Sequence, residues 1–220
     1  MMHTRAERKM LPYRQPAREA CFKERKMLPY RQPARGAAAR TASLDRKENF
    51  MEFREVIRNR YSCKKYSDRQ VEAEKLEAIL QAGRLAPTAK NLQEQHIYVI
   101  QSPEVLANLD AVTPCRYGAP TVIAVAFDKN NVFTYPGGKR DSGVEDATIV
   151  ATHMILAAAD EGVNSCWINY FDPDKAAEQL GLPGNEEVLM LMDLGYAAEG
   201  AGPLPNHGSR KELAETVTYL

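Results

Sequence analysis

The chain has 220 residues, 29 basic and 29 acidic side chains, 44% hydrophobic residues and a mean hydropathy of −0.45. That length suits one domain, or one domain with an arm, and it can bury a core without disulfide staples. No apolar run approaches the ~18–20 residues of a membrane-spanning helix, and the four cysteines form no C-x-x-C pair, which sets aside membrane spans, zinc ribbons and a disulfide framework. Cys21, Cys63, Cys115 and Cys166 read instead as scattered thiols of a reducing compartment, the cytoplasm.

The zero net charge hides an asymmetry. Residues 1–50 carry 13 Lys and Arg against 5 Asp and Glu, and residues 51–220 carry 16 against 24. The first fifty residues also hold a verbatim repeat: Glu7 to Arg18 reads ERKMLPYRQPAR, and Glu24 to Arg35 reads the same. Two twelve-residue copies are too few to stack into a solenoid, and two prolines in each break helix and strand alike. The expectation is a basic, disordered leader. A nucleic-acid or anionic-lipid contact and an organelle transit peptide are both compatible with it. The reading preferred is a dispensable duplicated leader, or a start placed too early, with Met51 as the true beginning. No nucleic-acid or membrane partner is expected.

From Met51 the pattern becomes globular. Phe53, Val56 and Ile57 have helical spacing over 51–60. Leu76, Ile79 and Leu80 mark a second helix over 71–83, with Gly83 as its C-cap. Residues 87–95 read as a polar loop. His96–Ile100 is a strand, and Pro103–Asp110 a helix opened by proline. Thr121–Phe127 (TVIAVAF) is a continuous apolar run, the pattern of a strand buried on both faces. A polar, glycine-rich loop covers 128–143. Val144–Gly162 is apolar nearly all round, which predicts a helix buried all round, central or shared with a second subunit. Val163–Ile168 is a strand, Asp172–Leu180 a helix, Val188–Leu194 a strand, and Glu215–Leu220 is β-prone. Alternating elements of this kind predict an α+β or α/β domain with helices on a mixed sheet.

The common catalytic signatures are missing. There is no H-E-x-x-H, no G-x-S-x-G and no G-x-G-x-x-G, and Gly138-Lys139 leads into Arg140 where a P-loop needs Ser or Thr. No metal site is expected. His153 reads as a satisfied core histidine and Cys166, next to Trp167, as a small core residue. An enzyme-like core without a nucleophile or metal set points to an organic cofactor that carries the reaction. Arg60, Ser62 and Lys64 alternate, so extended backbone would point a guanidinium, a hydroxyl and an ammonium the same way, a set suited to a phosphate. In Ala86-Pro87-Thr88-Ala89-Lys90-Asn91-Leu92-Gln93 small residues permit close approach. The Asn91 amide can donate and accept at the edge of a heteroaromatic ring. A solvated basic turn and an ordinary polar loop are the plainer alternatives for the two segments.

Together these segments resemble the nitroreductase family of FMN-dependent oxidoreductases. Arg60 to Tyr66 is similar to the family's R-x-S-x-(R/K)-x-(F/Y) opening, and Ala86 to Gln93 to its A-P-(S/T)-x-x-N-x-Q loop. Leu156-Ala157-Ala158 with Gly162 to Ile168 resembles L-A-A…G-L-G-x-x-W-I, and Leu194-Gly195-Tyr196 with Ser209-Arg210-Lys211 resembles L-G-Y-P…R-K. The four stations stand in order and span nearly all of 51–220. The chain departs from the pattern at Glu94-Gln95, where Pro-Trp is common, and at Ala197, where proline is usual.

The resemblance implies a central mixed β-sheet flanked by helices, in an intertwined homodimer with FMN at the subunit interface. It implies that Arg60, Ser62, Lys64 and Arg210 hold the ribityl phosphate and the pyrimidine edge, with Tyr61 contributing backbone. Pro87, Thr88, Ala89 and Asn91 would face the flavin from the other subunit, and Asn169 and Tyr170 lie where a backbone N–H meets flavin N5. Glu215–Leu220 would be a strand exchanged with the partner. The implied reaction is ping-pong hydride transfer through flavin N5, from NADH or NADPH to a nitroaromatic, quinone or related acceptor, with no protein acid or base. Reductive dehalogenation, enoyl reduction, flavin fragmentation and a non-catalytic FMN-binding redox module are the alternatives on the same scaffold.

Overall fold

The structure, a computed structural model, describes residues 52–220; the repeat-bearing leader lies outside the described residues. The elements in chain order are α1 (Phe53–Asn59), α2 (Ala73–Arg84), a 3₁₀ turn (Ala89–Asn91), β1 (Gln95–Ile100), α3 (Pro103–Asp110) and β2 (Thr121–Asp128). Then come α4 (Gly143–Asp160), β3 (Asn164–Ile168), α5 (Pro173–Leu180), β4 (Glu186–Gly195) and α6 (Leu213–Thr216). Local chemistry sets several of these bounds. Pro103 and Pro173 open α3 and α5 in the first turn, where the missing N–H costs nothing. Asp172 caps α5 by accepting from the N–H groups of Asp174 and Lys175, and Gly181 ends it at φ 65°.

The sheet order is β1-β2-β4-β3, with every neighbouring pair antiparallel. This corrects the expectation of a mixed sheet: the parallel pairing is an isolated bridge, Ser62 to Ser165. The α+β class holds. β2 and β3 do run the same way, joined through α4, but β4 inserts between them and pairs antiparallel with both. Helices cover both faces of the sheet. On one face Ile123, Val125, Met190, Met192 and Leu194 pack with Ile79 of α2 and Val150 and Met154 of α4. On the other, Val122, Ala124, Val188 and Leu191 pack with Leu106 and Leu109 of α3 and with Ala177 and Leu180 of α5. The continuous apolar run of β2 therefore reports two covered faces rather than parallel pairing.

Three other expectations change. Gly83 lies inside α2 and Leu85 is the C-cap; a Cβ on Gly83 would stand 2.7 Å from Met154 Sδ, so the glycine serves the close approach of α2 to α4. The α4 helix is buried along one side, yet Val144 and Ile149 are exposed, and His153 is exposed with Nδ1 2.8 Å from the Ile149 carbonyl. His153 is thus a surface residue of this chain, and not a core histidine. The tail begins as the single-turn helix α6, and Val217–Leu220 forms no strand with the rest of the described chain; Leu213, Val217, Tyr219 and Leu220 are all exposed. Among the described residues no helix is long and apolar enough to cross a membrane.

Candidate functional site

The basic segment begins where α1 ends. Arg60 leaves the helix at φ −60°, ψ 128°, and its N–H closes the last turn on the Val56 carbonyl. The chain then runs beside β3: Ser62 bridges Ser165, and the Cys63 N–H donates to the Ser165 carbonyl at 3.0 Å. It continues to the segment after β4, where Ser67 N–H donates to the Tyr196 carbonyl at 2.8 Å and Ala198 N–H to the Lys65 carbonyl at 3.1 Å. Backbone pairing at both ends thus holds the segment against the sheet. Asn59, Arg60 and Tyr61 line a cavity of about 160 Å³ with Ala159, Gly162, Val163, Asn164 and Ser165.

Neither Arg60 nor Lys64 enters an ion pair among the described residues. The Lys64 ammonium lies 5.7 Å from the centre of the Tyr117 ring. Burial, with Asp193 adding to it, pushes the Cys166 thiol on β3 up to about 11, and Lys64 works against that rise. Cys166 is buried and held as a thiol, in keeping with a core role. The Arg210 guanidinium donates to the carbonyls of His207 and Ser209 at 2.7 and 2.6 Å, and the His207 ring meets Tyr61 edge-on at 6.4 Å. The loop after β4 therefore carries Arg210 to the neighbourhood of Tyr61. Two unpaired cations, a hydroxyl and a second guanidinium suit a phosphate dianion.

Asn169 and Tyr170 follow β3 and are exposed. The Trp167 indole N–H donates to Asn169 Oδ1 at 2.6 Å, and the Thr113 hydroxyl donates to the Tyr170 carbonyl at 2.8 Å, so both are fixed from below.

The second segment is not the plain loop expected. Residues 89–91 form a 3₁₀ turn, and Lys90, Asn91 and Gln93 hold positive φ of 54°, 55° and 54°. Such backbone is costly outside glycine and persists where neighbours hold it. Thr88 Oγ1 accepts from the Gln93 N–H at 3.0 Å, and the Ala89 N–H donates to both oxygens of Asp146 on α4 at 3.0 Å. Lys90 sits 4.6 Å from the centre of the Phe133 ring, and the Asn91 side chain is exposed.

Arg60, Tyr61, Ser62 and Lys64 share one segment, which the loop of Arg210 meets through His207 and Tyr61, while Ala89 anchors Pro87, Thr88 and Asn91 to Asp146. The first group lies by the C-terminal end of α4, around Ala159 and Gly162; the second hangs on its N-terminal turn, at Asp146. From Asp146 to Ala159, 13 residues on, α4 rises by about 20 Å. Sequence reasoning missed the residues that hold these groups. Asp146 and Ser165 were not singled out, and Glu94 stood out as a departure from a motif. Nothing in spacing ties any of them to a loop far away in sequence.

A nitroreductase family model matches residues 57–113 and 114–196. A relative from Archaeoglobus fulgidus, provisionally named NADH dehydrogenase/NAD(P)H nitroreductase, is 30% identical over 149 residues, which is 64% of this chain and 83% of that protein. The crystal structure of a nitroreductase family protein from Clostridium difficile 630 superposes with a TM-score of 0.72 at 39% identity, over 77% of this chain and 98% of that one. A nitroreductase with bound FMN from Bacteroides fragilis NCTC 9343 gives a TM-score of 0.63 at 28% identity, over 77% and 99% of the two chains.

Proposed function

Since the chain belongs to the nitroreductase family, we propose that it is an FMN-dependent oxidoreductase that uses NADH or NADPH to reduce nitroaromatic, quinone or related acceptors. The observation that carries this reading is the likeness, over nearly the whole of that chain, to the Bacteroides fragilis nitroreductase with bound FMN. When bound, FMN supplies the two-electron chemistry between the nicotinamide and the acceptor.

The chain's own residues bind, orient and balance charge. Arg60 and Lys64 would neutralise the phosphate, with Ser62 adding a hydroxyl; hydrogen bonds to a charged group contribute roughly 1.5–3 kcal/mol each. Tyr61 would offer backbone, and Arg210 would reach the pyrimidine edge. Asn169 and Tyr170 would present a backbone N–H to the reacting edge of the ring. These cations and N–H donors stabilise negative charge as it develops on reduction. Pro87, Thr88, Ala89 and Asn91 would face the ring held by a second copy, because their own chain sets them at the wrong end of α4 for its own phosphate seat. A homodimer would also cover Val144 and Ile149 of α4, Phe53 and Ile57 of α1, and the apolar tail, all exposed in one chain. The scattered thiols suit a cytoplasmic setting.

Anaerobic titration of the purified full chain with NADH and with NADPH tests this. The expected result is a yellow protein whose visible flavin absorbance bleaches with the nicotinamide and returns on adding a nitroaromatic or a quinone. A colourless chain that takes up no added FMN would overturn the cofactor assignment. Bleaching without recovery by either acceptor would overturn the acceptor class.

A further inference from the structure

Glu94 ends the flavin-facing loop, and its side chain turns inward: the residue is 4% exposed, as is Asp146 on α4. The Ser142 hydroxyl donates to Glu94 Oε1 at 3.2 Å, and the same hydroxyl accepts the Phe133 N–H at 3.1 Å. Glu94 Oε2 receives no N–H or O–H. The Asp146 N–H donates to the Ser142 carbonyl at 2.8 Å, so the Ser142 hydroxyl brings the buried Glu94 carboxyl against the turn of α4 that carries the buried Asp146 carboxyl. Two buried carboxyl groups brought to one turn, with no cation between them, are most stable with one proton between them. Asp146 meanwhile receives the Ala89 N–H on both oxygens, at 3.0 Å. That bond ties the 3₁₀ turn, with its two positive-φ residues Lys90 and Asn91, to α4.

We propose that Glu94 and Asp146 share a single proton and form a positioning pair, which fixes the flavin-facing loop 87–93 on the first turns of α4. The assignment rests on the reading of that loop as a flavin contact. With the proton on Glu94, Asp146 keeps its charge near the helix N-terminus, where the helix dipole favours it, and keeps both oxygens for Ala89. Burial first, and Asp146 second, raise the Glu94 carboxyl to about 7. No cation is paired with either carboxyl among the described residues.

The charged groups around the pair are committed elsewhere. Glu145 on α4 takes the Tyr135 hydroxyl and the Arg140 guanidinium, and Asp141 accepts the Gly143 N–H. Lys90 on the loop lies over Phe133, Asp128 on β2 holds Asn185, and His96 on β1 holds Glu186. Once Glu94 ionises, two adjacent carboxylates repel and the Ala89 anchor loosens. Glu94→Gln keeps an N–H donor toward Asp146 at every pH.

The test measures FMN affinity of the full chain, wild type and E94Q, from about pH 6 to about pH 9, with hydrogen exchange of 89–93 in the flavin-free protein over the same range. The expected result is a wild-type Kd that rises, relative to that of E94Q, by up to about tenfold per pH unit above neutrality. The FMN phosphate titrates equally in both. Protection of 89–93 should fall with pH in wild type and hold in E94Q. Equal slopes in the two proteins, or protection in wild type that ignores pH, would overturn the pair. Failure of both proteins to bind FMN would overturn the cofactor reading, and exchange of 89–93 would still judge the pair.

Discussion

Asp193 sits on β4 with a fully buried carboxyl, and neither of its oxygens accepts a hydrogen bond. Burial raises it to about 9, with Arg116 pulling down and Cys115 and Asp110 pushing up. Its neighbour Tyr66 has a buried hydroxyl without a partner, held far above the ordinary phenol range by burial first and by Asp193 second. Asp193 is therefore neutral in the folded protein at pH 7, and charged in the unfolded chain. Because its folded value lies above its unfolded one, the stability it contributes is full below about pH 4 and is lost as pH rises through about 9. Asp193→Asn cannot ionise. It should flatten the fall in urea-denaturation free energy between those limits and exceed wild type at about pH 9 by a few kcal/mol, in order of magnitude. An identical pH slope in both proteins would rule this out. Lys64 is the opposite kind of residue, exposed and unpaired, and its alternation with Arg60 and Ser62 was plain in the sequence. Lys64→Ala should weaken FMN about ten- to a hundredfold in flavin-fluorescence titrations and reduce the salt dependence. Unchanged affinity would remove Lys64 from the phosphate seat. The candidate phosphate residues could be proposed from sequence because their chemistry shows in their type; Asp146 and Glu94 could not, because what they touch depends on where the fold sets them.

The helix α4 shows what glycine does where elements approach closely. A Cβ on Gly143, in its first turn, would stand 2.3 Å from Phe127 Cε2 and 2.5 Å from Cδ2, against a ring buried on β2. A Cβ on Gly83 would meet Met154 at 2.7 Å, but a thioether chain can turn away. Gly143→Ala should therefore cost about 1–3 kcal/mol in thermal or chemical denaturation. Gly83→Ala should cost less, since alanine regains about 1 kcal/mol of helix propensity. Equal losses would mean that the Phe127 ring yields as easily as Met154. Most elements were legible, α3 to the residue, because a proline marks its start and apolar spacing its length. The 3₁₀ turn was not, since Lys90, Asn91 and Gln93 carry no glycine to announce left-handed backbone; a distant aspartate holds them there. The mixed sheet was expected from the alternation of strands and helices, which does not show that β4 inserts between β2 and β3; the apolar run of β2 did report a strand covered on both faces. The β-prone tail forms no strand within the described chain, and the exchange expected of it requires a second copy.

At the scale of the molecule, α4 is the organising device. It carries the loop 87–93 at one end and the cavity beside Arg60 and Tyr61 at the other, and it exposes Val144, Ile149 and His153. The sequence announced an all-round apolar helix, and the structure divides that surface into a side turned to the core and a side left bare in one chain. The central claim is that one flavin seat draws its phosphate-binding end from one copy and its ring-facing loop from another. Coexpression tests it most directly, with Arg60→Ala and Lys64→Ala in one copy and Thr88→Ala and Asn91→Ala in the other, and with bound FMN measured in the purified heterodimer. The account predicts that each variant alone is poor in flavin and that the heterodimer regains one well-formed seat. A heterodimer as poor in flavin as its two parents would contradict it.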